Sequence, residues 1–306
     1  MKLSVVATLY RSARFLDEFY RRASAAAHAF AGDDYEIVLV NDGSPDDSLE
    51  LAVMLSQSDK HVVVVDLSRN FGHHKAMMAG LDHAAGDLVF LIDSDLEEAP
   101  EWLAEFGAIM EGEGHDVVFG EQITRKGNWF ERISGELYYR IFDLLANIKH
   151  PRNITTARLM TRRYVEALLQ HRERELVISC LWVITGFKQK ACLITKSSRD
   201  GSSYSVGRKL AHVVNAMTSF SDKPLYLIFY FGLVIFGVSV AYALYLIIWR
   251  LIASEAVDGW TSVMVSVWVL GGLMISFVGI IGIYLAKVFS ETKQRPYVIV
   301  RKVYGN

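Results

Sequence analysis

Asp93-Ser94-Asp95 sets two carboxylates one residue apart where an apolar run, Leu88-Val89-Phe90-Leu91-Ile92, gives way to a polar loop. Two acids at the open end of a buried strand repel each other unless a cation sits between them. A hard divalent ion, Mg2+ or Mn2+, takes oxygen ligands, keeps one or two protein carboxylates and fills its other positions with water and substrate phosphates. The stretch therefore reads as a site for such an ion and a diphosphate. The plainer reading is an acidic loop that caps the next helix, since Glu97, Glu98, Pro100 and Glu101 suit a helix N-terminus. His73-His74 offers a second pair of ligands, but adjacent histidines point apart on a strand or a helix and are borderline donors for a hard ion. They read as loop or helix-start residues.

Those residues need elements to hold them. Leu3 to Thr8, Glu36 to Asn41, His61 to Leu67, Leu88 to Asp93 and Asp116 to Gly120 are short apolar runs, each ended by a polar turn. Between them, Arg14 to Phe30, Pro45 to Gln57 and Lys75 to Ala85 have helical length. This βαβ rhythm predicts a mostly parallel, Rossmann-like α/β sheet whose ligands bind beyond the carboxyl ends of the strands. Thr8, Asp42 and Asp95 fall at those ends. Neither G-x-G-x-x-G nor G-x-x-x-x-G-K-[ST] occurs, which argues against a dinucleotide oxidoreductase or a P-loop hydrolase. Residues 121–210 are more irregular, with Arg-rich helical stretches around Trp129 to Leu145 and Arg162 to Gln170.

The C-terminal third is different in kind. Leu225 to Trp249 and Thr261 to Ala286 are 25 and 26 residues without a charge, and about 20 apolar residues span a bilayer core. Lys287, Lys293, Arg295, Arg301 and Lys302 follow the second stretch against Glu291 alone, so the positive-inside tendency places both termini in the cytoplasm and the Arg250–Trp260 loop outside. Residues 1–16 lack the long apolar core of a signal peptide. The expected organisation is a cytoplasmic catalytic domain over 1–207, an amphipathic juxtamembrane segment over 208–224, two transmembrane helices within 225–286 and a cytoplasmic tail over 287–306. That describes a multi-pass protein of the inner (cytoplasmic) membrane. Net charge is −2, but residues 1–119 hold 8 Lys and Arg against 22 Asp and Glu, and residues 120–210 hold 17 against 8. The basic block before the membrane suits adhesion to an anionic leaflet or a site for an anionic lipid; the flanking spans argue against nucleic acid. Cys180 and Cys192 are too few for a disulfide framework or a zinc site.

Val38-Leu39-Val40-Asn41-Asp42-Gly43-Ser44, Leu67-Ser68-Arg69-Asn70-Phe71-Gly72, Asp93-Ser94-Asp95-Leu96 with Pro100-Glu101, and Arg199-Asp200-Gly201-Ser202-Ser203-Tyr204 together resemble the motifs of glycosyltransferase family 2. The resemblance extends to its membrane-anchored branch, which includes dolichol-phosphate mannose synthase and bacterial polyprenyl-phosphate glycosyltransferases. It implies a GT-A fold, a nucleoside-diphosphate sugar donor, a polyprenyl phosphate acceptor (undecaprenyl or dolichyl phosphate) and contact with the lipid bilayer. A homo-oligomer is left open. By resemblance Asp42 meets the nucleotide base, with Thr8 and Tyr10 lining the same pocket and Arg69 and Lys75 reaching the donor. An Asx turn or a helix cap ahead of Pro45 is the plainer role for Asp42. The family usually has Pro, Asn and Glu where Thr8, Arg11 and Ser12 stand, which leaves the base open. Asp93 and Asp95 would hold the ion. Glu97 stands where a Gln is common and would be a third oxygen donor. Arg199 would steady the departing diphosphate with its planar, always charged fork. Arg125, Arg132 and Ser134 fall where the family cradles the acceptor phosphate, and Arg158 is a further candidate for that phosphate.

The implied reaction is inverting transfer of one sugar onto the lipid phosphate. That acceptor is already an anion near neutral pH, its second pKa being about 6, so no general base is required. The rival is a hydroxyl acceptor of a polysaccharide or lipid-linked glycan, which needs a base, offered by Glu173 or Glu175; each has an arginine beside it that weakens it as a base. A third reading is a non-enzymatic, membrane-tethered nucleotide-sugar sensor.

Overall fold

The computed structural model describes residues 2–122, 153–173, 177–195, 221–253 and 259–305. Chain order is β1 (Leu3–Leu9), α1 (Ala13–Ala31), β2 (Tyr35–Asn41), α2 (Ser48–Ser58), β3 (Val62–Leu67), α3 (His73–His83), β4 (Leu88–Leu91), α4 (Trp102–Glu113), β5 (Val117–Gln122), β6 (Ile154–Thr161), α5 (Arg162–Leu169), α6 (Ile178–Ile184), β7 (Gln189–Ile194), α7 (Lys223–Ala253), α8 (Trp260–Thr292) and β8 (Val300–Tyr304).

Every residue of β1 and β2 is buried, as expected of Val- and Leu-rich strands covered on both faces. The eight strands form one sheet in the order β7-β5-β6-β4-β1-β2-β3-β8. Its centre is parallel, β4, β1, β2 and β3 running together, and β7 is parallel to β5. β6, inserted between β4 and β5, and β8 at the edge are antiparallel to their neighbours, while the other six strands run together, so the sheet is mixed and, as expected, mostly parallel.

On one face α1 and α4 cover the sheet with Leu16, Phe19, Leu103 and Phe106, all at 1 % exposure or less. Phe106 meets Phe90 of β4 edge to face, with ring centroids 6.1 Å apart. Each such side chain contributes about 1.5–3 kcal/mol by burial. The other face takes α3, which sits so close that a Cβ on Gly80 would run into Val6 and Val40.

The chain divides into two compact units: one of Met1–Gly135, His150–Ser203 and Arg295–Asn306, the other of Glu136–Lys149 and Tyr204–Gln294. The first holds the sheet, and β8 joins it after both long helices have intervened in sequence. In the second, Phe231 of α7 meets Phe277 of α8 edge to face, centroids 6.2 Å apart, and the Tyr284 hydroxyl donates to the Ser221 carbonyl at 2.7 Å. Phe236, Trp268 and Ile275 of these helices are exposed. Among the described residues, the 27-residue stretch Ser266–Thr292 is long and apolar enough to cross a membrane; the apolar stretch Lys223–Ser239 of α7 is shorter than that. Of the amphipathic segment expected over 208–224, residues 208–220 lie outside the described residues and Lys223 already begins α7; the helix expected over 129–145 lies outside the described residues too.

Candidate functional site

β1 pairs with β2 on one side and β4 on the other. Leu9 is level with Asn41, and the Asp42 amide donates to the Leu9 carbonyl at 3.0 Å. Val6 is level with Leu91, and the Ile92 amide donates to the Val6 carbonyl at 3.0 Å. The chain therefore leaves the sheet at Tyr10 to Ser12, Asp42 to Asp47 and Asp93 to Glu98 side by side, at the carboxyl ends where an open α/β sheet binds ligands.

Asp42 is 2 % exposed. Its Oδ1 accepts the Phe71 amide at 2.7 Å and its Oδ2 the Gly72 amide at 3.0 Å. Burial pushes the carboxyl upward, against the pull of those two amides and of nearby His73 and Arg69. Asp42 thus anchors the turn after β3. The Asx turn ahead of Pro45 belongs to its neighbour: the Ser44 amide donates to Asn41 Oδ1 at 3.2 Å. Gly43, at φ 59°, lies against the backbone of Arg69 and Asn70, where a Cβ would have no room. The 42–44 and 68–72 turns are consequently in direct contact.

Asp46 ties the neighbouring loops. It accepts the hydroxyls of Ser44 and Ser48, each at 2.5 Å, and the Ala13 amide at 3.1 Å. Burial alone would raise this carboxyl, but those hydroxyls and amides hold it at about 2. It sits at the starts of α1 and α2, where helix dipoles favour a negative charge.

In the Asp93 loop, Ser94 turns inward at 4 % exposure and donates to the Thr8 carbonyl at 2.8 Å. Asp93 Oδ2 accepts the Thr156 hydroxyl at 2.9 Å, and Oδ1 lies 3.2 Å from His73 Nε2. His73 Nδ1 is 3.0 Å from the Thr8 hydroxyl. Partial burial lowers the His73 pKa, but the hydrogen bond and charge of Asp93 outweigh this and the net shift is upward. His73, expected to be a loop or helix-start residue, begins α3, and from there it bridges Thr8 and Asp93. The sequence signal was available only in part: a His directly after Gly72 at a helix start, with partners 65 and 20 positions away.

Asp95 Oδ1 accepts the Glu97 amide at 2.9 Å, with Leu96 at φ 63° turning the chain between them. Among the described residues no three acidic, histidine or cysteine side chains converge as a ready-made ion site, so Asp93, Asp95 and Glu97 form no closed trio. Glu98, fully buried, accepts the Thr156 amide at 3.0 Å and so braces the residue that holds Asp93.

Tyr10 is exposed, with the Arg11 guanidinium 5.7 Å from its ring centre. Arg69 is exposed, its guanidinium 4.1 Å from the centre of the Phe71 ring. Lys75 lies in the first turn of α3, its amide donating to the Gly72 carbonyl at 3.0 Å. Arg158 has a different setting from the acceptor-phosphate role expected of it. It is 1 % exposed, its guanidinium 3.0 Å from the centre of the Trp182 ring, and burial brings its pKa down to about 9. A guanidinium so enclosed, donating to the Thr155 and Thr156 carbonyls, belongs to the packing of β6 and has no face open to a lipid phosphate. Arg125, Arg132, Ser134 and Arg199 lie outside the described residues, as does Glu175; Glu173 is half-buried after α5.

A family model described as Glycosyl transferase family 2 matches residues 4–169, the stretch that carries β1 to α5. A protein of Mycobacterium tuberculosis (strain CDC 1551 / Oshkosh) called "Putative glycosyltransferases" is 51 % identical over all of this chain and 89 % of its own. "Bactoprenol glucosyl transferase" of Shigella phage SfII is 31 % identical over the whole of both chains. Among solved structures, Staphylococcus aureus TarS 1-349 is 20 % identical with a TM-score of 0.47, over 72 % of this chain and 66 % of its own.

Proposed function

Because this chain belongs to glycosyl transferase family 2 and is a glycosyltransferase, we propose that it moves one sugar from a nucleoside-diphosphate sugar to polyprenyl phosphate, inverting the anomeric carbon. The observation that carries this reading is the meeting of Asp93, Asp95 and the Asp42-anchored turn at adjacent strand ends, in a chain with an apolar helix long enough to cross a membrane. A relative matched from end to end is named for glucosyl transfer involving bactoprenol, a polyprenol, which supports the acceptor class.

The donor's nucleoside would lie against the turns of Thr8–Tyr10, Asp42 and Arg69–Gly72, with its diphosphate over Asp93 and Asp95. Carboxylate oxygens at a strand end suit Mg2+ or Mn2+, and two protein carboxylates are a usual share when phosphates complete the shell. Bound there, the ion would offset charge on the leaving diphosphate. Asp93 is held for that role by Thr156 on one oxygen and His73 on the other. A phosphate oxygen of the lipid forms the new bond to the anomeric carbon as the bond to the diphosphate breaks. The acceptor arrives ionised, so what the protein supplies is alignment and charge stabilisation. Arg199 is assigned to the leaving diphosphate, and Arg125, Arg132 and Ser134 to the lipid phosphate. A second span within 225–249, with both termini cytoplasmic, completes this reading.

The test is incubation of purified protein with Mg2+, a panel of nucleoside-diphosphate sugars and undecaprenyl phosphate, followed by mass spectrometry of the lipid fraction. A mass gain of one sugar on the lipid is expected. Transfer only to a hydroxyl acceptor, with the lipid phosphate unmodified, refutes the proposal.

A further inference from the structure

β8 lies antiparallel to β3 at the sheet edge. Val65 faces Val303 and Asp66 faces Lys302, but Leu67 faces Val300. β8 therefore takes two steps where β3 takes one, and Arg301 is the extra residue of a β-bulge. Bulges re-aim the side chain they carry. Here Arg301 Nη1 lies 3.5 Å from Asp66 Oδ2, and Nη2 donates to the Ser68 carbonyl at 2.6 Å. The Ser68 amide in turn donates to the Ile299 carbonyl at 2.9 Å. Both backbone groups of Ser68, the first residue of the turn that ends at Gly72, are thus held by the segment at β8.

Asp66 is 1 % exposed. Its Oδ1 accepts the Asn41 side-chain amide at 2.8 Å, and the carbonyl of that same Asn41 side chain holds the Ser44 amide. The Arg301 side chain is itself 57 % exposed, and between two exposed groups such a pair would count for little. The buried partner changes the case: without the guanidinium, a carboxylate stays behind away from water with its charge unmet.

We propose that Arg301 is a positioning residue for the nucleotide pocket. By meeting the charge of Asp66 and clamping Ser68, it fixes the 41–44 and 68–72 turns whose contact carries Asp42. The strand that follows both long helices in sequence is then part of the pocket's wall, although it touches no substrate. This rests on reading the Asp42 turns as the nucleoside site.

The test uses the full chain in detergent micelles with Mg2+, and measures the Kd of UDP and of GDP by calorimetry. Arg301→Ala should weaken the tighter nucleotide by about tenfold, the scale of one lost charge-assisted contact. Arg301→Lys, which keeps the charge but loses the fork, should fall between. The double variant Asp66→Asn/Arg301→Ala should recover most of the loss, because no buried charge is left unmet. Asp42→Asn serves as the control for the reading itself. If Asp42→Asn weakens binding and Arg301→Ala does not, the clamp is wrong and the pocket stands. A double variant as weak as Arg301→Ala overturns the charge pairing with Asp66, the part of the clamp on which the expected recovery rests. If neither Asp42→Asn nor Arg301→Ala changes nucleotide affinity, both the pocket and the clamp fail. Should Arg301→Ala not fold, Arg301→Lys and the double variant decide the matter by the same comparison.

Discussion

His73 gives the sharpest check on how the carboxylate loop is held. Its ring reaches Thr8 through Nδ1 at 3.0 Å and Asp93 through Nε2 at 3.2 Å, while Thr156 takes the other Asp93 oxygen at 2.9 Å. A hydrogen bond to a charged group contributes about 1.5–3 kcal/mol, and the half-exposed ring argues for the low end. Groups that orient a ligating carboxylate typically change ion affinity by about 10–100-fold when removed. The two ring positions can be separated by side-chain length, since a Gln amide reaches where Nε2 sits and an Asn amide only where Nδ1 sits. His73→Asn should therefore weaken Mn2+ binding in the presence of UDP by about tenfold, and His73→Gln by about threefold or less. Electron paramagnetic resonance of free Mn2+ reads this directly, without an activity assay. Equal affinities for wild type and His73→Asn would refute the argument, and so would equal losses in the two variants, which would reduce His73 to a space-filling role.

The remaining predictions are simpler. Excess chelator should abolish transfer, and Asp95→Asn should do the same while leaving the thermal transition within a few degrees of wild type; full activity in chelator would remove the ion from the reaction. Asp46, held at about 2 by the Ser44 and Ser48 hydroxyls and the Ala13 and Ser48 amides, has a depressed folded pKa, so its stabilisation is complete above the ordinary carboxyl range and lost as pH falls toward 2. Wild type should exceed Asp46→Asn by about 1–2 kcal/mol at pH 6, and the gap should close between pH 4 and 2 in thermal scans; a gap independent of pH refutes the assignment. Gly43→Ala should cost about 3 kcal/mol or more, from a φ of 59° and the overlap with Arg69 and Asn70, and should also weaken UDP binding; a neutral substitution would mean that the two turns are not in contact.

What the sequence disclosed and what it hid divide along a physical line. The strand-end positions of Asp42 and Asp93 were legible because each follows an apolar run, and in a parallel sheet the end of such a run is a place in space as well as in sequence. That inference weakens after β5. The βαβ rhythm stops there, and β6 enters antiparallel between β4 and β5, a pairing set by backbone hydrogen bonds that leave no periodic trace. Arg158 then reads as a cation offered to the acceptor phosphate, when its neighbours in space, Trp182 and the carbonyls of Thr155 and Thr156, enclose it. β8 was hidden for the converse reason. Its cations read naturally as a membrane-side tail, and a five-residue edge strand with mostly exposed side chains has no buried face to announce it. What gives β8 away is its partner: Asp66 ends a run of four valines in β3, and a lone acid placed there is tolerable only if the fold brings a cation to it. Reading a buried acid as a demand for a distant base, rather than as an interruption of the strand, is the step that would have recovered Arg301 from the sequence.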